Sequence, residues 1–123
     1  MLGTAKLIAF VPASDAARAK HFYCDTLGLA LVSEDAFALV FESGGTILRV
    51  SLVPEVVPAR YTILGWAVLD IAAIVRMLQD ADVILERFPA MSQDALGIWN
   101  SPGGARVAWF KDPDGNVLSI TQF

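Results

Sequence analysis

The chain has 123 residues, with 9 Lys and Arg against 13 Asp and Glu, a formal net charge of −4 and a hydrophobic content of 55%. That is enough for one compact domain, or two small modules sharing one core. It lacks the basic cluster that would hold nucleic acid, an apolar run near the ~18 residues of a bilayer span, and the long apolar region of a secretory signal. The expectation is a cytoplasmic protein with neither nucleic acid nor membrane as partner.

A mean hydropathy of +0.55 is a surplus for so short a chain, pointing to a cavity lining or an oligomer interface, with a homodimer expected. The single cysteine, Cys24, excludes an internal disulfide and a multi-cysteine zinc site. Its neighbours Phe22 and Tyr23 favour a buried structural thiol over a reactive one.

Lys6 to Val11 alternates as a strand and is halted by Pro12. Ser14 or Asp15 can cap a helix whose apolar face is Ala19, Phe22, Tyr23 and Leu27, and Gly28 ends it. Three strands are predicted next, Leu29 to Ser33, Phe37 to Glu42 and Thr46 to Val53, the last pair turned by Gly44-Gly45. Residues 54–62, with Pro54 and Pro58 and no periodicity, read as a linker.

The pattern then recurs. Ile63 to Leu69 repeats the first strand and Asp70 repeats the cap Asp15. Ile71, Ile74, Val75 and Leu78 form the helical face, and Asp82 takes the slot of Gly28. Val83 to Arg87, Arg106 to Phe110 and Asn116 to Gln122 supply three strands. Gly45 aligns with Gly115, so the second copy carries about 15 extra residues between Phe88 and Gly103, with an inserted strand near 95–100. The organisation is one domain over 1–123, with modules at 1–53 and 63–123.

Asp112-Pro113-Asp114-Gly115 places Asp, Pro and Gly where a type I turn favours them. A calcium loop starting at Asp112 would need Gly and Glu where Val117 and Phe123 stand.

Together, Asp15, His21-Phe22-Tyr23 through Leu27-Gly28-Leu29, and Trp109-Phe110-Lys111-Asp112-Pro113-Asp114-Gly115-Asn116 on a doubled strand-helix-three-strand unit resemble the vicinal oxygen chelate superfamily. That superfamily includes glyoxalase I, extradiol dioxygenases, and fosfomycin- and bleomycin-resistance proteins. The resemblance implies an α+β fold, two βαβββ modules whose strongly curved mixed sheet forms a cup with helices outside. In metal-dependent members it implies four His, Gln or Glu ligands, from the first and last strands of each module.

Counted from those anchors, the four positions are Ile8, Arg49, Leu64 and Ser119. Ile and Leu have no donor atoms, Ser is a poor neutral ligand and Arg repels a cation, so no metal and no other cofactor is expected. A slip of one residue in register does not supply a ligand. His21, the only histidine, falls on the helix, and a His21–Cys24 dyad has no orienting third group.

Strand alternation puts Lys6, Phe10, Ile47, Ser51, Trp66, Val68, Val117 and Thr121 on the same concave face as those four positions. Arg49 is the candidate anchor for a carboxylate, phosphate or enolate, unless it pairs with an internal carboxylate or reaches the rim. Trp66 is a candidate stacking surface or an ordinary core residue. Trp99 on the insertion is a lid or a dimer contact, the face of Trp109 is open, and Ser119 and Thr121 offer hydroxyls.

The leading expectation is a bleomycin-resistance-like protein that binds a small organic anion without a metal. Arg49 argues against cationic bleomycin itself. The alternatives are a metal-independent lyase or isomerase using Arg49 as electrostatic stabiliser, for which no general base is evident, and a dimeric interaction module.

Overall fold

A computed structural model describes all 123 residues, as two compact units, Met1–Val57 and Pro58–Phe123. Each unit is a four-stranded mixed sheet with one helix, so the fold is α+β with two similar modules. No helix is long and apolar enough to cross a membrane.

In the first unit, β1 (Ile8–Ala13) leads into α1 (Ala16–Lys20), which continues as π-helical turns over His21–Thr26. Then come β2 (Ala30–Glu34), β3 (Ala38–Ser43) and β4 (Thr46–Leu52), in the sheet order β1-β4-β3-β2. β1 runs parallel to β4, and the other pairs are antiparallel. Asp15 caps α1 by accepting the N–H of Arg18 at 2.9 Å.

Packing explains the sequence pattern. Val11, Ala13, Leu39, Phe41, Leu48 and Val50 are buried from one face of the sheet, and Ala19, Phe22 and Tyr23 are buried from the helix. Tyr23 meets Phe41 at a ring separation of 5.9 Å and Phe22 edge-on at 5.1 Å. Gly28 ends the helix at φ 78°, with the N–H groups of Leu27 and Gly28 bonded to the carbonyls of Phe22 and Cys24. Cys24 is half-buried, more open than the buried thiol expected of it.

The second unit repeats this plan with β5 (Thr62–Ala67), α2 (Ile71–Asp80), β6 (Trp99–Asn100), β7 (Arg106–Lys111) and β8 (Val117–Gln122), in the order β5-β8-β7-β6. Asp70 accepts the N–H of Ala73 as Asp15 does that of Arg18. Ile71, Val75 and Leu78 pack with Ala108, Phe110, Leu118 and Ile120 among the buried core residues. Asp82, in the slot of Gly28, has φ 63° and is the only non-glycine residue with positive φ.

Two expectations about this unit need correction. Val83 to Arg87 is not a strand: only Leu85 bridges to Phe110, and β6 takes the edge beside β7 that β2 holds in the first unit. The segment between closes on its own polar groups. Asp94 Oδ1 accepts the N–H groups of Leu96 and Ile98, Gln93 bonds Phe88, Glu86 and Gly97, and Arg87 donates to the carbonyls of Asp94 and Ala95. The second correction concerns register in β5. Thr62 pairs with Val117 and Leu64 with Leu118, leaving Ile63 as an extra residue.

Candidate functional site

The turn at Asp112 shows how the sequence sets the position of β8. Asp112 Oδ1 accepts the N–H groups of Asp114 and Asn116, and Oδ2 accepts the Asn116 side-chain amide at 2.8 Å. Gly115, at φ 86°, donates its N–H to the Asp112 carbonyl, closing the turn before Val117. In the first unit Glu42 Oε1 accepts the N–H of Gly45, closing the turn before β4 at 2.7 Å. Arg49 and Ser119 each follow their turn glycine by the same number of residues.

Residues directly opposite on paired strands share a face. In the first unit Ile8 lies across from Ile47, Phe10 from Arg49 and Pro12 from Ser51, on the face away from the helix. Ile8 and Phe10 are 54% and 59% exposed. Phe10, Arg49, Ser51 and Ile8 therefore share one face, as alternation requires.

Arg49 is half-buried there and forms no hydrogen bond or ion pair. Asp35 is the carboxylate that feels its charge. Its Oδ1 accepts the N–H of Phe37 at 2.7 Å and of Ala38 at 3.0 Å. Those two bonds, and then the positive charge of Arg49, hold the Asp35 carboxyl below its ordinary range. The guanidinium has its donors free.

In the second unit the β5 register decides the outcome. Gly65 lies across from Ser119 and Ala67 from Thr121, whereas Trp66 lies across from Ile120. Trp66 and Leu64 are thus on the opposite face from Ser119 and Thr121. Trp66 stacks on the buried Phe110 with centroids 6.4 Å apart and planes at 18°, which makes it part of the core packing. Thr62 takes the slot opposite Val117 that Ile8 holds opposite Ile47.

Trp109 is the aromatic residue that sequence alternation left without a face. It pairs with Ser119, and its indole N–H reaches across β8 to the Thr62 hydroxyl on β5 at 3.1 Å. Trp99, opposite Val107, meets Trp109 at 6.0 Å and 38°, and Phe88 meets it edge-on at 5.3 Å. Trp99 is a strand residue of this cluster. Ser119 is 8% exposed and its hydroxyl makes no hydrogen bond. No side-chain polar atom is sealed away without a partner, so this hydroxyl retains access to solvent.

The resemblance implies a divalent metal in some relatives, and the donor set here does not fit one. Ile8 offers no donor atom, Arg49 is a fixed cation, Thr62 already accepts from Trp109, and Ser119 is a single neutral hydroxyl. No group of three or more His, Cys, Asp and Glu side chains is placed to hold an ion. His21 lies exposed on the helix with Nδ1 3.1 Å from Asp25 Oδ2. A depression of about 560 Å³ beyond the end of α2 is lined by Gln79, Ile84 and Arg87 among others, but the Arg87 guanidinium is already bonded to two carbonyls.

The family model for the Glyoxalase/Bleomycin resistance protein/Dioxygenase superfamily matches residues 6–120. No curated protein matches the chain at a significant level. Among solved structures, TnmS3, an antibiotic binding protein from Streptomyces, is 27% identical with a TM-score of 0.71, over 99% of this chain and 98% of that one. A superfamily member from Sphaerobacter thermophilus is 24% identical with a TM-score of 0.75 over 100% of both chains. Lactoylglutathione lyase from Agrobacterium tumefaciens is 17% identical with a TM-score of 0.75, over 97% of this chain and 93% of that one.

Proposed function

This chain belongs to the glyoxalase/bleomycin resistance protein/dioxygenase superfamily, and we propose that it binds a small organic anion at Arg49 without the help of a metal. The observation that carries this reading is the state of Arg49. It is half-buried on the helix-free face of its sheet, beside Ile8, Phe10 and Ile47, with no carboxylate paired to it. A guanidinium whose donors are paired to no carboxylate, on an apolar surface, favours a carboxylate or phosphate that supplies two acceptor oxygens. Ser51, on the same face, adds a hydroxyl.

Binding is favoured over turnover because Arg49 has no titratable partner suited to move a proton: Asp35, a carboxylate that feels its charge, is bonded to two backbone N–H groups. The 27% identity to an antibiotic binding protein over nearly the full length supports the same choice.

A thermal-shift screen of aromatic acids, phosphorylated metabolites and antibiotics, on parent and Arg49→Ala, tests the reading. The best anionic ligand should stabilise the parent and lose about ten- to a hundredfold in affinity in the variant. Equal stabilisation of both proteins would remove Arg49 as the anchor. Elemental analysis of protein purified without added metal should find no stoichiometric Ni, Zn, Mn or Fe.

A further inference from the structure

The helix-free face of the second sheet holds a group of residues that the Arg49 reading does not use. Ser119 is more than nine-tenths buried, yet its hydroxyl has no hydrogen-bond partner. Across from it stands Gly65, where a Cβ would lie 2.7 Å from Ser119 Oγ. Any side chain at 65 would press against that hydroxyl, so only glycine leaves it uncrowded.

On the other side Ser119 is flanked by Trp109, whose indole crosses β8 to bond Thr62. That bond uses the only polar atom of the indole and fixes the ring over the strand. Trp99 stands 6.0 Å away at 38°, half-buried, so the two indoles form an angled aromatic wall. A hydroxyl without a partner that solvent still reaches, a glycine beside it and an immobilised aromatic wall occur together on one face.

From this arrangement we infer that the Gly65–Ser119 niche with Trp99 and Trp109 is a recognition site for a planar aromatic ring system bearing a hydrogen-bonding substituent. The ring lies against the indoles, which provide a flat surface at little entropic cost. The substituent, a phenol or carbonyl oxygen, meets Ser119 Oγ, which can donate or accept. This goes beyond the binding proposed above: it uses none of the same residues, involves no charge and does not require Arg49.

Neutral probes separate the two. 2-Naphthol carries both ring and hydroxyl, naphthalene the ring alone, and decahydro-2-naphthol the hydroxyl on a saturated frame. The indole N–H signals of Trp66, Trp99 and Trp109, assigned by single Trp→Phe variants, report the binding face in ¹H–¹⁵N spectra. 2-Naphthol should move the Trp99 and Trp109 signals saturably and leave Trp66, stacked on Phe110, in place. Gly65→Ala should weaken it at least about tenfold with the spectrum otherwise native. Ser119→Ala, which leaves the space open, should bind 2-naphthol and naphthalene equally. The inference is overturned if decahydro-2-naphthol binds as tightly as 2-naphthol, if only Trp66 responds, or if Gly65→Ala binds 2-naphthol like the parent. Arg49→Ala should leave 2-naphthol binding unchanged while weakening that of anionic ligands about ten- to a hundredfold, so either proposal can fail alone.

Discussion

Asp35 lies within the electrostatic reach of Arg49 without pairing to it, because its carboxylate accepts the N–H groups of Phe37 and Ala38 at the start of β3. These bonds and the guanidinium favour the charged form, so the folded-state pKa lies below the ordinary value of 3.8. A depressed carboxylate contributes stability that is complete above its unfolded pKa and is lost as pH falls through the folded one. Asp35→Asn should therefore be less stable than the parent at pH 7, and the gap should close as the pH is taken below 3.8. Urea midpoints of the two proteins across this range check the sign. A gap that stays constant into strong acid would show that the charge of Asp35 contributes nothing.

The closing turn of the second unit makes a larger demand on one carboxylate. Asp112 is 5% exposed and holds two backbone N–H groups and the side-chain amide of Asn116, itself 1% exposed. Asp112→Ala leaves buried donors without acceptors and should cost about 3 kcal/mol. Asp112→Asn keeps an acceptor oxygen and should lose less. Chemical denaturation of both variants measures the difference, and a loss below about 1 kcal/mol in Asp112→Ala would show that water replaces these bonds.

What could be read in advance follows the range of the forces involved. Asp15 and Asp70 as caps, Gly28 as helix end and the turn at Asp112 are local, and each is legible because the residues that bond are near neighbours in sequence. The face of Ser119 was legible too, since β8 pairs with β7 without a break in register. The face of Trp66 was not. Ile63 and Leu64 are both apolar, and only pairing with Val117 and Leu118 shows that Ile63 is the extra residue, which turns Trp66 to the core. Val83 to Arg87 had strand-like composition, but the turn at Asp94 delivers Trp99 and Asn100 to the Arg106–Val107 end of the sheet edge, leaving Leu85 a single bridge to Phe110. Trp109 needed Thr62, a partner far off in sequence, to fix its ring.

The duplicated helix ends permit a paired test of backbone strain. Gly28 at φ 78° and Asp82 at φ 63° occupy the same slot. The left-handed conformation costs a residue with a Cβ about 1–2 kcal/mol, more than the roughly 0.5–1 kcal/mol of extra backbone entropy that glycine loses on folding. Asp82→Gly should therefore stabilise the protein by about 0.5–1 kcal/mol, and Gly28→Ala should destabilise it by a similar amount. Thermal melts of the two variants should move in opposite directions. Open space around Gly28 removes a steric clash as an alternative cause.

β1 lies at the edge of its sheet, and Leu7, Ile8 and Phe10 in and beside it are 85%, 54% and 59% exposed. An edge strand with large apolar side chains in water is unstable against association unless something covers it. A second copy of this chain is the cover expected of an apolar protein with few charges to oppose its own approach. Sedimentation equilibrium should give twice the 13.2 kDa chain mass at micromolar concentrations. Ile8→Lys places a charge on the exposed face without touching the buried side of β1, where Val11 and Ala13 pack. It should shift the protein to monomer with an unchanged far-ultraviolet spectrum. A parent chain that stays monomeric at about 100 μM would mean that the exposed apolar face serves ligand binding alone, because a dimer too weak to form there would have a dissociation constant above that of most specific interfaces.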